Sequence, residues 1–462
     1  MRKTKYIIAQ FTFYDRTGIQ EFLEKQARKG WLLEKLGNFT WKFRRSAPKE
    51  CHYAVTYFPK ASIFDPGPSA SQERLREFCA HAGWELVGTT AQMQIFRSDE
   101  ENPVPIETDP ELEFENIHKS VKKGVFPGYF LLLAVSLLNL FRFFWQLWES
   151  PLETLASNLT LFTGFSQVIL TLICALEIGG YFLWRRAALK ALETDGNFVR
   201  TWGFRKAEMG LLWAELGVLA LMLASVGGKT VTMYLCSMGL LAVVMVAVVG
   251  IREGLKQLQF SARDNKIITL IACVMLSVVV CGLGTVVIVN GINDHWPEEN
   301  VGTYEYQGHS FTSYNDELPL TVAELTGIES EEYSYYLRAD SSFLVEKFVA
   351  RQDAHVSDLE LPDLRYVVVD VKLPWFYDAC LNDLLEQYAG WEYTDVYGNV
   401  YHDEFVEVAA APWGAAAAYQ GYSGEYAEHE YILCYKDRII NIEFDWEPTA
   451  EQIAIVVEKL VK

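Results

Sequence analysis

Five long apolar stretches occupy the middle of the chain. Each is close to the roughly 20 residues that a helix needs to cross the apolar core of a bilayer. Buried helices of a soluble protein are the alternative, but they are shorter as a rule and do not recur so regularly. The pattern therefore predicts five transmembrane helices within residues 125–290. Their approximate bounds are 125–147, 159–184, 207–226, 231–251 and 267–290.

The loops between these stretches alternate in basic charge. Three lysines precede the first stretch, and the loops 185–206 and 252–266 carry six and four Lys or Arg residues. The loop after the first stretch carries none, and the loop after the third carries one. Because basic loops stay on the cytoplasmic side, the pattern predicts a multi-pass protein of the plasma membrane. Its N-terminus is cytoplasmic and its C-terminus extracytoplasmic in this interpretation.

A strand-like pattern followed by a helix-like pattern occurs twice before the first apolar stretch. Each predicted helix is followed by Gly-Trp-x-Leu, first at Gly30 and again at Gly83, and then by a predicted hairpin. The repeat predicts a doubled β-α-β-β unit, and so an α+β domain in residues 1–98. The predicted strand and helix pairs are 5–13 with 17–29 and 52–58 with 71–82.

The N-terminal segment resembles the bacterial domain-of-unknown-function family 2812 in three features. They are the predicted helix, the Gly-Trp hairpin that follows it and the acidic segment that leads to the spans. The resemblance covers about residues 5–120. It implies a membrane protein of a kind often encoded beside transcriptional regulators. It assigns no activity, cofactor or catalytic residue. Residues 99–124 are interpreted as a solvated acidic linker that ends in a juxtamembrane basic segment.

Residues 291–462 alternate strand and helix patterns of their own. A strand pattern at 365–372 precedes an amphipathic helix pattern at 375–388, and 430–444 reads as a hairpin around Lys436-Asp437. Thr449 then begins a capping-box helix. These patterns predict a second α+β domain, on the extracytoplasmic side.

The net charge of −20 is located almost entirely in this last segment. Residues 1–124 carry +2 and 125–290 carry +3, whereas 291–462 carry 9 basic and 34 acidic residues. Phosphate binding needs Lys and Arg, so we expect no nucleic-acid partner. The acidic excess is typical of a soluble domain that is repelled by anionic surfaces.

Two carboxylates inside the predicted spans are candidate functional groups, because ionisable residues in a bilayer are costly. Glu177 lies about eight residues from the cytoplasmic end of its span and Glu215 about nine, so both are expected at similar depth. They form a candidate pair that shares a proton or binds a cation. Hydrogen bonding between helices, without transport, is the structural alternative.

Cys380 and Cys434 are the two cysteines of the last segment. An oxidising exterior permits a disulfide between them, and two buried free thiols are the equal alternative. No cysteine or histidine spacing in the chain indicates a metal site, and the last segment carries no G-x-S-x-G, H-E-x-x-H or S-x-x-K motif. We therefore expect no cofactor, and we favour a non-enzyme over an enzyme.

Three functions fit these features. The first is a sensory or regulatory module that couples an extracytoplasmic domain, with an envelope ligand, to a cytoplasmic domain with a protein partner. The second is a transporter subunit that uses Glu177 and Glu215. The third is a membrane enzyme whose site carries no recognised motif. The lipid bilayer is the one partner that all three require.

Overall fold

The computed structural model describes residues 3–8, 11–37, 40–194, 199, 205–225, 228–295, 300–356, 360–388, 392–394 and 400–461. The chain divides into two compact units by its internal contacts. The first unit combines Met1–Leu140 with Phe165–Val287, and the second combines Phe141–Gly164 with Ile288–Lys462. Each is described by itself.

The first unit begins with two copies of the predicted β-α-β-β repeat. Each copy is a three-stranded antiparallel sheet in which the last strand lies between the other two, in the orders β1-β3-β2 and β4-β6-β5. The prediction of a doubled α+β unit is confirmed. The elements are β1 (Thr4–Ile8), α1 (Arg16–Arg28), β2 (Trp31–Lys35), β3 (Thr40–Arg45), β4 (His52–Tyr57), α2 (Ala70–His81), β5 (Glu85–Thr89) and β6 (Met93–Ser98).

Local signals begin and end the two helices of the repeat. Asp15 caps α1 by accepting a hydrogen bond from the Gly18 N–H (3.0 Å), and Ser69 forms a capping box with Gln72 at the start of α2. Gly30 and Gly83 follow the two helices with φ of 75° and 82°. Because only glycine adopts this left-handed backbone without strain, the chain turns directly from each helix into its hairpin.

The acidic segment before the first span is largely helical, which corrects its interpretation as a solvated linker. Helix α3 (Pro110–Gly124) begins at Asp109, whose side chain accepts hydrogen bonds from the Glu111 and Leu112 N–H groups. Ile117 and Val121 lie one turn apart and are buried in the apolar core of the repeats. The acidic residues make this apolar face hard to recognise in the sequence. Burial of the apolar face holds the segment against the repeats.

Five helices among the described residues are long and apolar enough to cross a membrane. They confirm the five predicted spans and extend well beyond several predicted bounds. The helices are α4 (Phe126–Glu149), the short α5 (Pro151–Ala156) in the first loop, α6 (Asn158–Thr194), α7 (Arg205–Ser225), α8 (Gly228–Gln257) and α9 (Ala262–His295).

The segment after α9 contains a separate hairpin, β7 with β8, and an eight-stranded antiparallel sheet in the order β12-β13-β14-β15-β16-β11-β10-β9. The predicted strand 365–372, the hairpin 430–444 and both helices are confirmed. The elements are β7 (Val301–Tyr306), β8 (His309–Tyr314), α10 (Val322–Thr326), β9 (Tyr333–Ser341), β10 (Val345–Ala354), β11 (Leu364–Val371), α11 (Tyr377–Tyr388), β12 (Glu392–Thr394), β13 (Val400–Val408), β14 (Ala417–Ser423), β15 (Tyr426–Cys434), β16 (Arg438–Phe444) and α12 (Ala450–Leu460).

Both faces of this sheet are buried. Val368 and Ile440 pack in one apolar core with α10 and α12, whereas Val369 and Ile439 pack in a second core with α5 and α11. Since neighbouring side chains on a strand point to opposite faces, the second unit is a three-layer arrangement. One of its outer layers includes α5, from the loop between the first two spans.

Glu430 on β15 gives this domain a pH-dependent stability. Burial raises the pKa of Glu430 to about 7, although Asn441 donates a hydrogen bond to Oε1 (2.9 Å) that acts in the opposite direction. The folded domain therefore holds a proton that the unfolded chain releases above about pH 4.5, so stability falls as the pH rises from 4.5 to 7. We expect Glu430→Gln to stabilise the full chain at pH 8 by up to about 3 kcal/mol.

Thermal unfolding of the two proteins at pH 8 and pH 4.5 measures this difference. Most of the gain of Glu430→Gln should disappear at pH 4.5, where the carboxyl is protonated in the folded protein and about half protonated in the unfolded chain. Glu428→Gln, an exposed position on the same strand, is the matched control and should change little. Equal effects of the two variants at pH 8 would contradict the assignment to burial.

Candidate functional site

The second span is much longer than a bilayer requires. Helix α6 has 37 residues, about 55 Å at 1.5 Å per residue, whereas the apolar core of a bilayer is about 30 Å thick. Its first residues belong to one compact unit and the remainder to the other. The two ends of α6 are therefore the places where a span can act on folded domains.

The last part of α6 enters the core of the N-terminal repeats. Tyr181, Trp184 and Ala188 are buried there among residues of both copies. The Tyr14 ring, just before α1, stacks on Trp184 with centroids 5.6 Å apart and meets the edge of Tyr181 at 5.5 Å. Aromatic pairs in such arrangements stabilise more than their buried area alone, so α6 is held firmly at this end.

A hydrogen bond between α3 and α6 orients the rings in this aromatic contact. His118 of α3 is joined through Nδ1 to the hydroxyl of Tyr181, and Phe114, one turn earlier, packs on Trp184 at 5.8 Å. Burial, assisted by Arg185, lowers the pKa of His118, so the ring is neutral at neutral pH. Burial likewise raises the pKa of Tyr14, assisted by Glu177. Both groups are uncharged, as an aromatic contact of this kind requires.

The structure places the two predicted carboxylates apart. Glu215 accepts a hydrogen bond from Ser166 Oγ (2.5 Å), and Ser166 lies 11 residues before Glu177 on the same helix, about 16 Å along its axis. The depth argument assumed that spans two and three end in one plane. That assumption does not hold, because α6 continues as helix ten residues beyond its predicted end.

Glu177 has a different acidic neighbour. Its carboxylate interacts with that of Glu208, in the first turn of α7, and with the hydroxyl of Tyr129 on α4. Glu208 is 1 % exposed and Glu177 8 %. Neither carboxylate oxygen of Glu208 has a hydrogen-bond partner among the described residues. Glu208 lies two turns before Glu215 on one face of α7. This spacing was the sequence signal that could have identified Glu208 as a candidate site residue.

The first part of α6 and the preceding α5 pack on the eight-stranded sheet. Asn158 donates a hydrogen bond to the Ser341 carbonyl and accepts one from the Phe343 N–H, both at 3.2 Å. Ser342 Oγ donates to the Leu155 carbonyl (2.5 Å). Leu152, Leu155, Ala156 and Leu161 are buried in the core that α11 also covers.

Charged groups fix the orientation of α5 on this surface. The Leu152 N–H donates to Asp383 Oδ2 of α11 (2.7 Å), and the buried Lys347 forms an ion pair with Glu153. Burial of apolar side chains thus stabilises the contact between α5 and the sheet domain. The Leu152 N–H, Asp383, Lys347 and Glu153 specify its position.

Cys380 and Cys434 are free thiols buried in this same core. Burial raises the pKa of Cys380 to about 12 and also raises the pKa of Cys434. Because the thiolate is the reactive form, both are protected from exchange while the domain is folded. A disulfide between them stays a prediction.

Residues 15–127 match the family model described as Protein of unknown function (DUF2812). The match covers the repeats from α1 onward, α3 and the first two residues of α4, so the resemblance that the sequence indicated is found in the N-terminal part. No curated protein and no solved structure matches the chain.

The aromatic contact at the end of α6 is testable by a pair of neighbouring substitutions. We expect Trp184→Ala to destabilise the repeats by about 3 kcal/mol or more, since it removes a buried ring from their core. Hydrogen exchange of β4 in the purified full chain measures this loss. Leu183→Ala is the control because Leu183 is 61 % exposed. If the two variants open β4 equally, Trp184 is not part of this core.

Proposed function

We propose that the protein is a sensory or regulatory membrane module in which α6 couples the C-terminal domain to the N-terminal domain. One observation carries this proposal: a single helix provides core residues to the sheet domain at its first end and to the repeats at its other end. A ligand or partner that displaces one end changes the packing energy at the other. Coupling of this kind needs differential contacts in two states, and both ends of α6 make contacts that can differ.

We further propose that the N-terminal domain is cytoplasmic and the C-terminal domain extracytoplasmic, in a bacterial plasma membrane. The alternating loop charges support this orientation. Two contacts agree with it. Asn265, beside the basic loop 252–266, donates a hydrogen bond to the Phe64 carbonyl of the second repeat (3.1 Å), whereas the base-free first loop packs on the C-terminal sheet through α5. Each soluble domain thus contacts loops of the charge expected for its side.

In this arrangement the signal enters through the acidic sheet domain and reaches a cytoplasmic partner. The ligand is an envelope component and the partner binds the repeats or α3. Helix α3 is suited to relay the change, because it contacts α6 through His118 and Phe114.

Coupling is testable by loosening the α5 contact without touching the repeats. We expect the double variant Lys347→Gln, Asn158→Ala to speed hydrogen exchange around Tyr14 about fivefold in the full chain in nanodiscs, corresponding to about 1 kcal/mol. The matched control is Arg365→Gln, which breaks an ion pair with Asp353 (2.8 Å) away from α5. Exchange changes confined to residues 150–164 and 341–347 would contradict the coupling role of α6.

We propose ion transfer as a second candidate function, because Glu208 is a buried carboxylate without a hydrogen-bond partner in the described part of the chain. Its interaction with Glu177 gives a proton or a cation two acidic groups to share. Glu215, which is bonded to Ser166, takes no part in this version of the transporter hypothesis.

Proteoliposomes that contain a pH-sensitive dye test this second function. Under an imposed membrane potential that is negative inside, we expect wild-type protein to let protons enter and acidify the interior of the liposomes. Glu177→Gln and Glu208→Gln should each abolish the signal, because each removes an ionisable group from the shared site. Glu215→Gln is the matched control and should transfer protons normally. Transfer that survives both of the first substitutions, or that wild type does not perform, rules out this function.

A further inference from the structure

A large cavity lies in the first unit, where the repeats meet the ends of two spans. Its volume is about 820 Å³, within the range of ordinary small-molecule sites. Phe11, Trp41 and Met93 line the side formed by the repeats. The other side is formed by Tyr129, at the beginning of α4, and by the end of α8. We call this space the juxtamembrane cavity.

The depth of the cavity relates it to the membrane surface. Tyr129 is at the fourth position of the first span, and Arg252 and Lys256 occupy the last turns of the fourth span, which ends at Gln257. Tyrosine and basic residues near the ends of spans lie at the level of the lipid headgroups. Basic pockets between spans at this level bind anionic headgroups.

The charges in the cavity are not balanced. Glu253 Oε1 alone accepts hydrogen bonds from Arg252 Nη2 (2.8 Å) and Lys256 Nζ (3.0 Å). The two bases are mostly buried, with side-chain exposures of 23 % and 22 %, whereas Glu253 is 47 % exposed. Two bases therefore share one carboxylate, and both bases are less exposed to solvent than the carboxylate is.

A third base lines the part of the cavity that the repeats form. Arg76 of α2 reaches the cavity, and its Nε is buried without a hydrogen-bond partner in the part of the chain that the structure describes. Asp65, the other acid of the lining, already accepts the Ser62 N–H (2.7 Å). A buried donor without a partner costs about 1–3 kcal/mol, so a ligand oxygen in this place would remove a penalty.

We propose that the juxtamembrane cavity binds a phosphate-bearing amphiphilic anion, with the phosphate held by Arg76, Arg252 and Lys256 and the less polar part packed against Trp41, Phe11 and Met93. The guanidinium forks suit phosphate oxygens, and the aromatic wall suits an acyl chain or a ring. The source is either a lipid headgroup or a soluble phosphorylated compound. The site gives the N-terminal domain its own ligand and does not depend on coupling through α6.

Two probes distinguish these sources on the purified full chain. Native mass spectrometry counts the phosphatidylglycerol molecules that remain bound after delipidation in detergent, and thermal unfolding in the presence of adenosine monophosphate reports a soluble ligand. We expect one probe to bind to wild type. Arg252→Gln with Lys256→Gln should weaken its apparent affinity about tenfold or more, because both charge-assisted contacts are lost.

The matched control is Arg263→Gln with Lys266→Gln, two exposed bases at the beginning of α9 that do not line the cavity. A second comparison sets Arg76→Gln against Arg74→Gln, its exposed neighbour on α2. Selective loss of phosphatidylglycerol in the cavity variants identifies a lipid site, and selective loss of the adenosine monophosphate shift identifies a soluble ligand. Equal loss in the control variants, or no binding of either probe to wild type, overturns the proposal.

Discussion

The contribution of helix α6 to the cores of both folded domains is the constraint on which the rest of the structure depends. A helix that only crosses the bilayer has no reason to continue for 37 residues. Helix α6 continues because apolar and aromatic side chains at its end are buried by the repeats. Tyr181 and Trp184 are nearly inaccessible to solvent, and burying such side chains stabilises by about 2 kcal/mol or more each.

The contacts at the two ends of α6, with the adjoining α5 at its first end, use different chemistry. At the repeats the contact is aromatic, with one hydrogen bond between His118 and Tyr181. At the sheet domain an apolar face is positioned by polar groups, among them Asn158, Ser342 and Asp383. Hydrogen bonds to fixed backbone groups tolerate little displacement, whereas stacked rings slide at smaller cost. The polar end is therefore the more specific of the two.

Features set by short-range patterns could be predicted from the sequence. The apolar length of five spans, the glycines at 30 and 83 and the cap at Thr449 each act through neighbouring residues, and each was found where the pattern indicated. The depth of Glu177 relative to Glu215 could not be predicted, because it depends on the register between two helices. The helical segment 110–124 was missed because its six charged residues outnumber the three apolar residues that pack.

The loop between the first two spans contributes residues to the core of the sheet domain. Leu152, Leu155 and Leu161 are core residues of the sheet domain, so without residues 141–164 one face of the eight-stranded sheet would expose apolar side chains. The repeats depend in the same way on Tyr181, Trp184 and Ala188. Neither domain completes its core from its own segment of the chain: the sheet domain includes residues of α5 and α6, and the repeats include residues of α6. Helix α6 therefore contributes to both cores, and this shared contribution is the observation on which the proposed coupling rests.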